Sequence, residues 1–266
     1  MKTMKQIRRP VLCGHLAAVA GLLGLLTGLR VAMAQPIATP TPPQPKARIL
    51  LVTGVDYPGH LWKQTAPALR ELLEKDPRLT VRVVEDPHFL DSSALTNYQA
   101  ILLHWKNWEV PGPGQTAREN LKRFVESGGG LMLTHFASGA WYGEWPEFKN
   151  LAGRAWFGLD GRQHDPHGKF TVEITDQQHP ITQGLTAFET DDELYTCLTG
   201  DAPIHVLAQA RSKVDGKEYP MAFVLNYGKG RVFHTTLGHD VTALTNTSVP
   251  ELLRRGCAWV AGLGPQ

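Results

Sequence analysis

Apolar residues come in short blocks along this chain, and the spacing within and between the blocks predicts its elements. Arg48-Ile49-Leu50-Leu51-Val52-Thr53-Gly54 is a continuous apolar run ending in glycine, the pattern of a parallel strand buried on both faces. After a loop from Val55 to His60, Ala66, Leu69, Leu72 and Leu73 recur at helical spacing and predict a helix over about 62–75. Strands follow at 80–84 and at Ala100-Ile101-Leu102-Leu103-His104. If these two are parallel, a hairpin cannot join them, so residues 85–98 must supply the crossover as a short or irregular helix. A helix over about 116–127 closes on Gly128-Gly129-Gly130, and a fourth strand, Leu131-Met132-Leu133-Thr134, runs into His135. The second half is richer in strand signals, at 169–174, 204–210, 219–226 and 231–236. Tyr227-Gly228-Lys229-Gly230 is a tight turn between the last two. A helix over about 250–261, with Pro250 in its first turn, ends the pattern. The order predicts an α/β fold, a doubly wound and mostly parallel sheet with additional β elements in the second half.

The first residues follow another logic. Lys2, Lys5, Arg8 and Arg9 precede an apolar run from about Leu16 to Leu29, which ends at Ala32-Met33-Ala34. This layout predicts a secretory signal over 1–34 and an exported, periplasmic or secreted protein. The run falls short of the roughly 20 residues of a membrane span, so no stable span is expected after cleavage. Arg8-Arg9 leaves the general and the twin-arginine export routes both open. Residues 35–46, with five prolines, read as a linker, and the folded domain as 47–262.

Charge adds little about partners. The leader carries five of the 27 basic residues and none of the 25 acidic ones, leaving 22 against 25. No basic stripe supports nucleic-acid binding. Beyond the leader only Cys197 and Cys257 remain, and a disulfide and a buried thiol are equal alternatives for them.

In an open parallel sheet, ligands bind beyond the carboxyl ends of the strands. His60, His104, His135 and His239 fall there from four separate segments, as do Asp56 and Asp240. The triplet Asp191-Asp192-Glu193 reads as a loop between strand signals, anchored by Leu194 and Tyr195. His164 and His167 are spaced for a loop ligand pair. A divalent metal, if held, would draw on His104, His135, His164, His167 and His239. The His179-Pro180-Ile181 block reads as a turn.

Four blocks together resemble a ThuA-like (trehalose utilisation) domain. They are Gly128-Gly129-Gly130-Leu131-Met132-Leu133-Thr134-His135, the stretch His179-Pro180-Ile181-Thr182-Gln183-Gly184-Leu185, Asp192-Glu193-Leu194-Tyr195, and Tyr227-Gly228-Lys229-Gly230-Arg231-Val232-Phe233 with Leu237-Gly238-His239-Asp240. The resemblance implies a flavodoxin-like fold of the class I glutamine amidotransferase type. In that class a cysteine follows the Gly-rich strand. Here Thr134-His135-Phe136-Ala137 stands there, so thiolate chemistry on amides is not expected. Ser138 lacks the G-x-S-x-G setting of a serine nucleophile.

The resemblance further implies a small-molecule carbohydrate as partner, trehalose or a related disaccharide or a 3-keto sugar. His135 would be base or metal ligand, His239 its partner, and Glu193 or Asp192 the acid or orienting group. His60, His104, Trp105, Trp141, Tyr142 and Asp240 would line the substrate, with Trp108 nearby. Two rival expectations stand beside this one: a non-catalytic sugar- or protein-binding module, and a metal-dependent hydrolase.

Overall fold

Parallel pairing demands strands that tolerate burial on both faces, and the apolar runs of the first half supply them. In the computed structural model, which describes residues 45–156 and 163–265, β1 (Ala47–Val52) lies between β2 (Leu79–Val84) and β3 (Ala100–Leu103), parallel to both. The expected leader and nearly all of the Pro-rich stretch lie outside the described residues. β3 pairs in parallel with β4 (Gly130–Thr134), and β4 with β11 (Gly230–Thr235). Beyond β11 the sheet turns antiparallel through β10 (Glu218–Tyr227), β9 (His205–Arg211), β6 (Gly168–Ile174) and β7 (Phe188–Asp192). The nine strands run in the order β2-β1-β3-β4-β11-β10-β9-β6-β7. A small antiparallel ribbon pairs β5 (Ala155–Trp156) with β8 (Leu198–Thr199).

Helices cover both faces. Ile49 and Leu51 pack with Leu69 and Leu73 of α1 (Trp62–Glu74) and with Leu252 and Leu253 of the last helix, Val249–Val260. Leu50 and Val52 face the other way, into the layer of Leu121 and Val125 from α2 (Gln115–Glu126) and Phe148 from α3 (Phe148–Ala152). The period of two along β1 thus separates two cores. Two helices complete the set, the short α4 (Val241–Thr245) and, after it, α5, the helix at Val249–Val260.

Expected strand and helix boundaries fall within a residue or two of the observed ones. The crossover over 85–98 consists of two 3₁₀ turns, Pro87–Asp91 and Ser93–Asn97. The Asp86 and Ser92 side chains cap them by accepting the His88 and Ala94 amides. Pro220 is tolerated inside β10 because a register shift, a β-bulge, falls between Pro220 and Ala222. One expectation is corrected: Asp191 and Asp192 are not in a loop but end β7, whose Phe188, Thr190 and Asp192 point inward in alternation. The thiols of Cys197 and Cys257 are both free. No helix among the described residues is long and apolar enough to cross a membrane.

Candidate active site

Three loops leave the carboxyl ends of the parallel strands and meet the end of β7. The first follows β1, where Gly54 at φ +117° brings the chain so close to Glu85 that a Cβ would lie 1.9 Å from its carbonyl oxygen. That loop delivers His60, whose ring stacks on Tyr57 and sits with its centroid 4.8 Å from those of both His135 and His239. Neither ring nitrogen of His60 has a hydrogen-bond partner although both are buried. Burial, then the charges of His135 and His239, push its pKa down to about 2.

His135 is the first residue after β4 and takes φ +46°, a left-handed conformation that costs energy in a residue with a Cβ. The bend turns its side chain into the pocket. Its Nδ1 lies 2.6 Å from the Thr236 carbonyl, which only accepts, so Nδ1 carries the hydrogen. In the neutral ring Nε2 is therefore the open lone pair. The buried Tyr195 hydroxyl donates to it at 2.9 Å.

His239 arrives from β11 through Gly238, at φ +111°. Asp192 holds this passage from the other side. Its carboxylate accepts the backbone N–H groups of Gly238 (2.7 Å), His239 (3.2 Å) and Glu193 (2.8 Å). Burial raises the Asp192 pKa, opposed by the charge of His135 and by these three amides. Glu193, the next residue, brings Oε2 to 3.4 Å from His135 Nε2 and 3.4 Å from His239 Nδ1, which are 3.3 Å apart. Burial alone would raise the Glu193 pKa. The two imidazoles outweigh it and hold the carboxylate well below its usual range. Glu193 in turn raises the pKa of His239 through their hydrogen bond, against burial.

The remaining expected residues divide. His164 stands at the rim with Nε2 3.8 Å from Glu193 Oε1, and His167 packs on His239 while facing Asp191. Asp240 caps α4 by accepting the Ala243 amide. His104 does not join the cluster: its ring nitrogens meet the hydroxyls of Thr53 (3.1 Å) and Thr65 (3.2 Å), and burial pushes its pKa down to about 3. Trp105 and Trp141 are fully buried, edge to face against each other, and offer no surface to a sugar ring. Tyr142 instead faces Lys106.

Sequence reasoning passed over Lys106, Tyr57 and His234. Lys106 is 8% exposed, its ammonium 4.6 to 5.3 Å from the ring centres of Trp156, Tyr57 and Tyr142. Burial lowers its pKa. A lysine two residues past a strand reads as solvated, and no spacing signals three rings from three separate segments. His234, buried on β11, gives Nδ1–H to Ala152 and meets the Ser138 hydroxyl through Nε2. That contact commits Ser138 to packing.

An inner cavity of about 90 Å³ is bounded by His60, Lys106, Trp156, Glu193 and Tyr195. It shares Tyr57 and His60 with an outer groove of about 500 Å³, where Trp108 is exposed and the buried Trp62 donates its ring N–H to Asp56 beside Lys63.

An open, mostly parallel α/β sheet whose fourth strand runs into a left-handed elbow, with histidine at the elbow, defines the class of the protein. The chain belongs to the ThuA family, described as trehalose utilisation, whose model matches residues 48–260. A ThuA-like protein from Parabacteroides merdae is 26% identical, over 83% of this chain and 92% of that one, with a TM-score of 0.73. Another, from Bacteroides uniformis, is 19% identical over 85% and 95%, with a TM-score of 0.66. A β-galactosidase from Rahnella sp. R3 shares the fold over 84% of this chain and 32% of its own, at 14% identity and a TM-score of 0.55. No curated protein matches.

Proposed function

We propose that the chain is an exported enzyme of carbohydrate utilisation, acting on trehalose or a related disaccharide, or on its 3-keto form, by imidazole and carboxylate chemistry. The observation that carries this reading is the convergence of His135 Nε2, His239 Nδ1 and Glu193 Oε2 within 3.4 Å of one another at the mouth of a small cavity.

On a 3-keto sugar the carbonyl acidifies the proton at the adjacent C2. His135, with its tautomer set by Thr236, takes that proton, the C1–O bond breaks, and the departing oxygen receives a proton from His239. The product pair is a 1,2-unsaturated ketone and the released alcohol. Glu193 favours the protonated form of His239 for this role, and the Lys106 ammonium offers charge to the developing enolate oxygen. The inner cavity admits only the reacting end of a sugar. The aromatic groove beside it, with Tyr57 and Trp108, suits the remainder.

Incubating the chain with trehalose, other disaccharides and their 3-keto forms, followed by NMR and mass spectrometry, tests the reading. Turnover is expected, falling about 10³-fold in His135→Asn, a substitution whose side chain tolerates the left-handed backbone. If nothing turns over while wild type and variant bind the same sugars equally, the chain is a binding module instead. Export is part of the same proposal, and a mature N-terminus at Gln35 checks it.

A further inference from the structure

The four polar side chains of the pocket are short of hydrogens. His135 has spent its Nδ1–H on Thr236, Glu193 only accepts, and His239 Nδ1 can donate to just one of them. His60 turns two buried ring nitrogens toward nothing that bonds them. The Tyr195 hydroxyl supplies one hydrogen to His135 Nε2 and His239 one to Glu193, which leaves His60 the unsatisfied member of the cluster. A cation shared by the four would satisfy it.

The geometry agrees. His135 Nε2, His239 Nδ1 and Glu193 Oε2 form a nearly equilateral triangle with sides of 3.3, 3.4 and 3.4 Å. Nitrogen and oxygen donors about 2.1 Å from a tetrahedral ion lie about 3.4 Å apart. One nitrogen of His60 falls within 4.8 Å of the other three donor atoms, close enough to make a fourth corner by a small ring movement. The supports behind the donors are also those of a metal centre. A backbone carbonyl fixes the His135 tautomer, and the Asp192 carboxylate grips the backbone of both Glu193 and His239.

We propose that His135, His239, Glu193 and His60 bind one divalent first-row transition-metal ion. Three imidazoles and one carboxylate favour an ion such as zinc or cobalt over magnesium or calcium. The inference rests on the reading of this pocket as the reacting centre and replaces its proton relay: with His135 Nε2 and His239 Nδ1 engaged by the ion, it is the ion that would polarise a sugar oxygen entering from the cavity lined by Lys106 and Tyr195. The site differs from the ligand set expected from the sequence. It adds His60 and Glu193, and it leaves out His164, His167 and His104, the last with its nitrogens already engaged.

The test uses the full chain purified without a histidine tag, stripped with a chelator, and titrated with Co²⁺ in the absence of any sugar. Visible absorption and calorimetry should report one ion per chain in a low-symmetry four- or five-coordinate site, displaced by Zn²⁺, with a rise in Tm. Glu193→Gln and His135→Asn should weaken binding at least 100-fold and His60→Ala at least tenfold. His205→Ala, at the exposed start of β9, should change nothing. Thermal melts of the metal-free variants separate lost ligands from lost folding. Co²⁺ binding that is unaffected by replacing Glu193 and His60 overturns the inference. So does sugar turnover by a chain that binds no Co²⁺, which leaves the sugar reading intact. One ion bound with no sugar turned over keeps the metal site and removes the sugar reading.

Discussion

The two halves of the sheet contribute to the site in different ways. The parallel half, β2 to β11, ends its strands in short loops that project imidazoles: His60 after β1, His135 after β4, His239 after β11. The antiparallel half offers no such row of strand ends. It contributes one edge strand, β7, whose last residue and the three residues beyond it supply Asp192, Glu193 and Tyr195. One half holds the bases and the other the acidic groups that orient them. In this chain the chemistry of the row of loops depends on what the edge strand brings to it.

Substitutions on each side sharpen that division. The largest effect below the ligating residues themselves is expected at Lys106, on the parallel side, where Lys106→Met should lower kcat about 100-fold with little change in KM. A matching rise in KM would make it a binding residue rather than a stabiliser of developing charge. On the antiparallel side, Asp192→Asn replaces one acceptor oxygen with an N–H₂ facing backbone N–H groups. A loss of about 2 kcal/mol follows, a Tm lower by about 4–8 °C, together with loosened placement of His239. An unchanged melt would mean that Asp192 does not join the two halves.

A smaller effect separates the pocket histidines from those that only pack. His104 and His234 have pKa values pushed by burial to about 3 and about 4, below the 6.5 of an unfolded histidine. As pH falls from about 6.5 toward 4, the unfolded chain takes up protons that the folded chain refuses. Stability therefore drops over that window by about 1.4 kcal/mol per pH unit for each histidine. His239 has the opposite sign: its raised pKa contributes stability below about 6.5 that is lost as pH rises through the folded value. Melts of wild type and His104→Gln between pH 7 and 4 should show the shallower slope in the variant. Equal slopes would mean that His104 does not stay neutral.

Much of the parallel half was legible because strands such as Ile49-Leu50-Leu51-Val52 and Leu131-Met132-Leu133 are buried on both faces and written in continuous apolar residues. β7 was not, since Phe-Glu-Thr-Asp-Asp carries few strand formers and only its alternation betrays it. Among the histidines, position beyond a strand end was readable, but what each ring meets was not. His104 and His135 occupy equivalent places after β3 and β4. Only Thr53, just after β1, and Thr65, on α1, distinguish a satisfied core ring from one that joins the cluster. Trp105 and Trp141 were misjudged for the same reason, because packing under the 107–113 loop is set by tertiary contacts such as the bond from Trp141 to Pro113.

The most direct test of the joined site is a double-mutant cycle on turnover of whichever disaccharide or 3-keto sugar the chain accepts, with His135→Asn from the parallel half and Glu193→Gln from the antiparallel half. Groups that act as one unit are not additive. Each single variant should lose most of kcat/KM, and the double variant should be no worse than the poorer single one. Losses that multiply, or a Glu193→Gln variant as active as wild type, would contradict the account.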